Sequence, residues 1–137
     1  MRSIVALAAA GLVAAGSAGA VSQEQFQLRD GSDLVALCTV EVGDPLHAQA
    51  IHLCHGFAVG TYRTIQAMTH HKDLEPLFCP PDPGPTRNEG VAAFVSWAGK
   101  NPEHQGDSPE EYVGRFLIAA FPCSEPAAAE GSGSTVK

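Results

Sequence analysis

The sequence predicts an all-α fold, a small four-helix bundle stapled by two disulfides. Three observations carry that expectation. Apolar residues recur at steps of three, four and seven through the middle of the chain, capping signatures open helical segments at four places, and four cysteines follow an export signal. No internal repeat and no strand pattern competes with them.

The opening residues set the boundaries. Met1, Arg2 and Ser3 form a short basic start, Ile4 to Val13 are nearly all apolar, and Ala18-Gly19-Ala20 offers small residues for signal peptidase. Residues 1–20 therefore read as a signal peptide, 21–30 as a lead-in, 31–123 as the helical domain and 124–137 as a disordered tail. Cleavage after Ala20 leaves 117 of the 137 residues, enough for one modest core. The expected compartment is a bacterial periplasm, without membrane insertion after cleavage, because no later apolar run is long enough to span a bilayer. No lipidation cysteine ends the signal. With Arg2 removed, seven basic side chains face fifteen acidic ones, a formal net charge of −8. That balance disfavours nucleic acid and anionic lipid as partners and suits a basic protein or cationic surface.

Val21 to Arg29 is polar apart from Phe26 and reads as irregular, with Phe26 tucked against the bundle. Asp30-Gly31-Ser32 supplies a cap for a first helix carrying Leu34, Val35, Leu37 and Cys38. Gly43-Asp44-Pro45 restarts the chain, with Asp44 as cap and Pro45 at the first helical position. A long central helix then runs to about Met68. One stripe on it holds Leu46, Ala50, Leu53, Phe57, Thr61 and Met68, and a second holds Ile51, Cys54, Ala58, Tyr62 and Ile65. So wide an apolar face places this helix at the bundle centre, covered from more than one side. Gly56 and Gly60 each cost about 1 kcal/mol there relative to alanine, and close approach of another helix backbone is the expected compensation. His70, His71 and Lys72 suit the negative end of its dipole.

Five prolines between Asp73 and Pro85 forbid a helix and make a stiff connector with Cys79 in its middle. Thr86 and Glu89 form a capping box for a third helix with Val91, Phe94, Val95 and Ala98 on its apolar face. Gly99 to Asp107 is a polar turn. Ser108-Pro109-Glu110-Glu111 reads as a second capping box, opening a fourth helix with Tyr112, Val113, Phe116, Leu117 and Ala120 that Pro122 stops.

In an oxidising compartment Cys38, Cys54, Cys79 and Cys123 imply two disulfides. If the third and fourth helices form an antiparallel hairpin, Cys79 and Cys123 meet at its outer end, leaving Cys38 for Cys54. The alternative, Cys38 with Cys79 and Cys54 with Cys123, stays open at this point. No Cys-x-x-Cys supports zinc, and haem attachment would need a cysteine where Ile51 stands.

A search for chemistry returns ordinary readings. His52 and His55 share a helix side but lack a third ligand, so no metal or cofactor is expected. His70-His71 fits dipole complementarity, and Glu110-Glu111 fits a first helical turn. No Gly-x-Ser-x-Gly occurs, all cysteines are expected to be bonded, and the chain does not read as an enzyme. Trp97 reads as core, with a partner anchor as the alternative.

Leu34 to Cys38 (LVALC), Leu53 to Ile65 (LCHGFAVGTYRTI), Leu77 to Pro81 (LFCPP), the Thr86 box and Phe116 to Cys123 (FLIAAFPC) together carry a resemblance. From about Gln27 to Cys123 the chain resembles the periplasmic immunity proteins of the Rap/Tai type, which protect bacteria against peptidoglycan amidase toxins delivered by type VI secretion. The resemblance implies a non-enzymatic helical bundle, often a homodimer, similar in shape to periplasmic acid-stress chaperones. It also implies inhibition by plugging an amidase cleft that holds a cysteine and a histidine. The matched positions are framework residues and hand over no inhibitory site. The turn held between two capped helices is the first choice for one, giving Asn101, Glu103, His104, Gln105 and Asp107 as candidate partner-binding residues. An acid-stress holdase, or another envelope interaction protein, is the alternative function.

Overall fold

A computed structural model describes residues 20–71 and 74–123. The expected signal peptide, apart from Ala20, the expected tail, and Lys72 at the central helix end lie outside the described residues. Four helices appear: α1 (Gly31–Cys38), α2 (His47–His71), α3 (Arg87–Ala98) and α4 (Pro109–Ala120), with short 3-10 turns at Gln25–Gln27 and Pro102–His104. Among the described residues there is no strand.

The caps explain where the helices begin. Asp30 accepts the Asp33 N–H at 3.1 Å and opens α1. The Thr86 box is complete, with Glu89 N–H donating to Thr86 Oγ1 at 3.3 Å and Thr86 N–H donating to Glu89 Oε2 at 2.8 Å. At α4 only half of the expected box forms. Ser108 Oγ accepts the Glu111 N–H at 3.3 Å, but the Glu111 carboxylate turns away to pair with Arg115 at 2.6 Å. A charged donor one turn along outcompetes a neutral backbone N–H for that carboxylate.

Three further expectations need correction. The lead-in is not irregular throughout, because Gln25–Gln27 forms a 3-10 turn closed by Leu28 at φ 50°, with Phe26 and Leu28 packed on the core. The central helix starts at His47 rather than Pro45. Asp44 Oδ1 accepts the Leu46 N–H at 2.7 Å, which bends residues 44–46 into a tight turn before the helix can begin. And Ala120, expected on the apolar face of α4, is exposed.

The disulfides join Cys38 to Cys54 and Cys79 to Cys123, which excludes the alternative pairing. The α3–α4 hairpin brings its outer ends together, and Cys79 N–H donates to Phe121 O at 2.8 Å beside the second bridge. The chain-entropy estimate gives about 3 kcal/mol for the 16-residue separation and about 4 kcal/mol for the 44-residue one.

The largest correction concerns the centre of the bundle. Of α2 only Ala50, Cys54 and Thr69 are buried, and Met68 is 55% exposed. Those buried positions lie on one face along most of its 25 residues, while the rest of its circumference is half-buried or exposed. Gly56 and Gly60 are exposed, and a Cβ added at either meets nothing within 4 Å, so no helix backbone approaches them. The centre lies elsewhere, in Leu34 and Leu37 of α1, Phe94 of α3 and Tyr112 and Phe116 of α4, all buried. Here α1, although the shortest helix, touches the other three, as α2 also does along its covered face.

Gly31 is the glycine this packing requires. A Cβ there would stand 2.8 Å from Cγ of Tyr112, whose ring packs against the start of α1 with no exposed surface. Just beyond, the buried Asp33 carboxylate is gripped by Arg29, through Nε at 2.9 Å, Nη2 at 3.2 Å and the backbone N–H at 3.1 Å. Hydrogen bonding by Arg29, against the opposing effect of burial, holds the Asp33 carboxyl below its usual range.

Two outcomes are expected. Gly31→Ala should destabilise the protein by about 2 kcal/mol through overpacking, while Gly60→Ala should stabilise it by about 0.5–1 kcal/mol, both read from denaturant midpoints. Because the Asp33 carboxyl is depressed on folding, its contribution is complete above about pH 4 and is lost as pH falls through the lower folded value. Asp33→Asn should cost about 1–2 kcal/mol at neutral pH and flatten the acid limb of the stability curve. An unchanged acid limb in thermal melts would remove Asp33 from that account.

Candidate partner-binding surface

The turn between α3 and α4 is clamped on both sides. Asn101 enters it with its N–H on Ala98 O at 3.2 Å and its side-chain Nδ2 on Trp97 O at 2.7 Å. Opposite, α1 presents its free N-terminal donors: Ser32 N–H reaches Gln105 O at 3.0 Å and Gly31 N–H reaches Asp107 O at 2.9 Å. The Tyr112 hydroxyl lies below, 3.3 Å from Asn101 O and 3.4 Å from Ala98 O. Burial pushes its pKa up, so it stays a neutral donor beneath the turn.

Side chains tie the turn further. The His104 ring runs parallel to the Trp97 ring with centroids 6.4 Å apart, and its Nδ1 is 3.3 Å from Asp107 Oδ2. That oxygen also lies 2.8 Å from Arg115 Nε. It makes no hydrogen bond of proper direction, so the contact is an ion pair held by proximity. Arg115 spans Asp107 and Glu111 at once. Trp97 itself is half-buried and packs on Tyr112 and Phe116, with ring centroids 5.2 and 6.0 Å away.

The five candidate residues therefore separate. Asn101, His104, Gln105 and Asp107 are half-buried and hold the turn in shape. Glu103 projects outward, its side chain 63% exposed, between exposed Pro102 and near exposed Gly106. The turn is thus a rigid platform that presents one acidic side chain. Rigid presentation lowers the ordering cost of binding.

Beside the turn the surface continues into an open groove of about 860 Å³ between α2 and α4. Phe57, Gly60, Thr61 and Ile65 of α2 face Gly114 and Ile118 of α4 across it, with Glu110 and Glu111 at the end nearest the turn. Ile118 is 48% exposed. Sequence reasoning did not find this groove. Its signals were present, in Ile118 standing off the apolar stripe of α4 and in the bare glycine of α2. Arg115 lines the same end and neutralises Glu111, so the edge carries Glu110 beside an ion pair; with its apolar floor it suits a protein partner with a basic group next to an apolar patch.

The remaining candidates carry no assembled chemistry. His52 is exposed and His55 half-buried, and among the described residues no group of three or more metal-ligating side chains comes together. All four cysteines are bonded. No described helix is long and apolar enough to cross a membrane.

A family model described as Rap1a immunity proteins matches residues 30–123. The match begins at the α1 cap and ends at the last disulfide cysteine, so it covers the whole bundle. Neither a curated protein nor a solved structure matches the chain.

Proposed function

Because the chain belongs to the Rap1a immunity protein family, we propose that it is exported to the periplasm and neutralises a peptidoglycan amidase toxin by covering the toxin's active-site cleft. Membership makes it an immunity protein that binds a toxin, and such proteins are in general non-enzymatic. Two disulfides in so small a domain suit an oxidising compartment. A homodimer is compatible with the same reading.

The observation that carries the mode of action is the clamped turn. Four of its residues are spent on fixing its shape, which leaves Glu103 as a rigid acidic projection beside an apolar groove. In this reading Glu103 and its flanking Pro102 enter the amidase cleft, and the groove around Ile118 takes the surrounding surface. An acidic inhibitor face also speeds encounter with a basic toxin at low salt.

Coexpression with a periplasm-directed amidase effector tests both parts. The wild-type chain should prevent lysis by its cognate toxin. Glu103→Arg and Ile118→Arg should each weaken toxin binding by about tenfold or more while leaving thermal stability nearly unchanged, since both side chains are exposed. Rescue from no amidase effector retires the immunity assignment, and rescue undiminished by both substitutions moves the contact to another face.

A further inference from the structure

A second concave site lies on the other flank of α2, and its chemistry is unlike that of the groove. It is a partly enclosed cleft of about 240 Å³ between α2, the proline-rich connector, α3 and α4. Tyr62, Phe94, Phe116 and Phe121 supply aromatic walls, and Arg63, Arg87 and His55 stand at its lining. We propose that this cleft binds a short straight-chain carboxylate, a fatty-acid anion whose tail lies among the aromatic rings and whose head meets Arg63 and Arg87.

Three observations lead there. Part of the polar lining is already committed: Tyr62 Oη accepts from Gln66 Nε2 at 2.9 Å, and Thr86 Oγ1 donates to Glu89 Oε2 at 2.7 Å, which leaves the His55 ring and the Tyr62 O–H as the neutral polar groups facing a ligand. A peptide threaded through the cleft would find few partners for its backbone groups, whereas a hydrocarbon tail needs none. The arginines differ from the others described. Arg29 pairs with Asp33 and Arg115 with Asp107 and Glu111, but neither Arg63 nor Arg87 pairs with a carboxylate among the described residues. Glu89, close to Arg87 in sequence, is occupied by the Thr86 box. Two unpaired guanidinium groups at one apolar cleft, in a chain of formal net charge −7, complement a carboxylate. Size limits the tail. The cleft is smaller than the roughly 300–1,000 Å³ of sites for drug-sized ligands, which suits a short chain such as octanoate.

Titration of octanoate into the full oxidised protein, followed calorimetrically and by amide chemical shifts, tests the assignment. Binding should be saturable and one-to-one, tighten about fourfold per methylene from hexanoate to octanoate, and weaken with added salt. Octanol and octylammonium should bind at least about tenfold more weakly. The double substitution Arg63→Gln, Arg87→Gln should weaken octanoate by about tenfold without altering the fold, since both side chains are exposed. Gly90 lines the cleft and a Cβ there meets nothing within 4 Å, so Gly90→Leu should fill the site and abolish binding. If Gly90→Leu fails to fold, the arginine pair and the chain-length series still decide. Absence of saturation at millimolar octanoate, equal affinity for octanol, or indifference to the arginine substitutions overturns the proposal. Tighter binding of a short peptide ending in a leucine carboxylate also overturns it, in favour of a peptide-terminus site.

Discussion

The seating of Tyr112 on the bare backbone of Gly31 is the contact on which the rest of this structure depends. The ring is fully buried, its hydroxyl faces Ala98 O and Asn101 O, and it packs on Phe94 and Trp97 with centroids 5.5 and 5.2 Å away. One side chain on α4 thus fixes the start of α1, the end of α3 and the entry to the acidic turn. A buried aromatic ring contributes several kcal/mol through area and edge contacts, about 3–5 by truncation, which exceeds any single hydrogen bond of the turn. The two disulfides act at the periphery of this junction, one across α1 and α2 and the other at the far end of the α3–α4 hairpin. They narrow the unfolded ensemble, while the tyrosine junction selects the arrangement among compact ones.

The ordering explains how an acidic turn becomes rigid without a core of its own. The first N–H groups of α1 have no partner within their helix, and Gly31 and Ser32 give two of them to Asp107 O and Gln105 O. This is possible only because the Tyr112 ring lets α1 approach so closely. A bulkier residue at position 31 would push α1 away from the ring, and the two donors would leave the turn with it. The turn's shape is therefore inherited from core packing.

What was legible in the sequence follows from range. Asp30, Thr86 and Ser108 act on backbone groups within three residues, so their caps could be read directly, and the hairpin logic that paired Cys79 with Cys123 rested on two such caps and a short turn. Gly56 and Gly60 were expected beneath a neighbouring helix backbone, yet nothing lies within 4 Å of a Cβ at either, because which face of α2 is covered is set by long-range packing that no local pattern encodes. The Gly31–Tyr112 contact spans most of the domain in sequence and leaves no periodic trace. The same holds for Asp107, whose role depends on Arg115 and on the α1 N-terminus, and for the half-formed box at Ser108, where Arg115 competes for Glu111.

Helical geometry then explains why acidic and basic chemistry occupy separate faces of one small protein. At about 100° per residue, the groove residues Phe57, Gly60, Thr61 and Thr64 fall on one flank of α2, and the cleft residues His55, Val59, Tyr62 and Arg63 fall on the opposite flank. Between them, Ala50 and Cys54 face the core. The helix acts as a wall: one side is completed by Glu110 and the Glu111–Arg115 ion pair of α4, the other by the unpaired Arg87 of α3. Charges on the two sides are separated by the width of a helix, about 10 Å, which is about one Debye length at moderate salt. Salt weakens the interaction between the two faces without abolishing it, so a protein partner on one side and a small anion on the other are only weakly coupled through charge. Coupling also passes through packing. α2 itself offers that route, because Tyr62 of the cleft and Ile65 of the groove stand less than one turn apart on the same rigid helix.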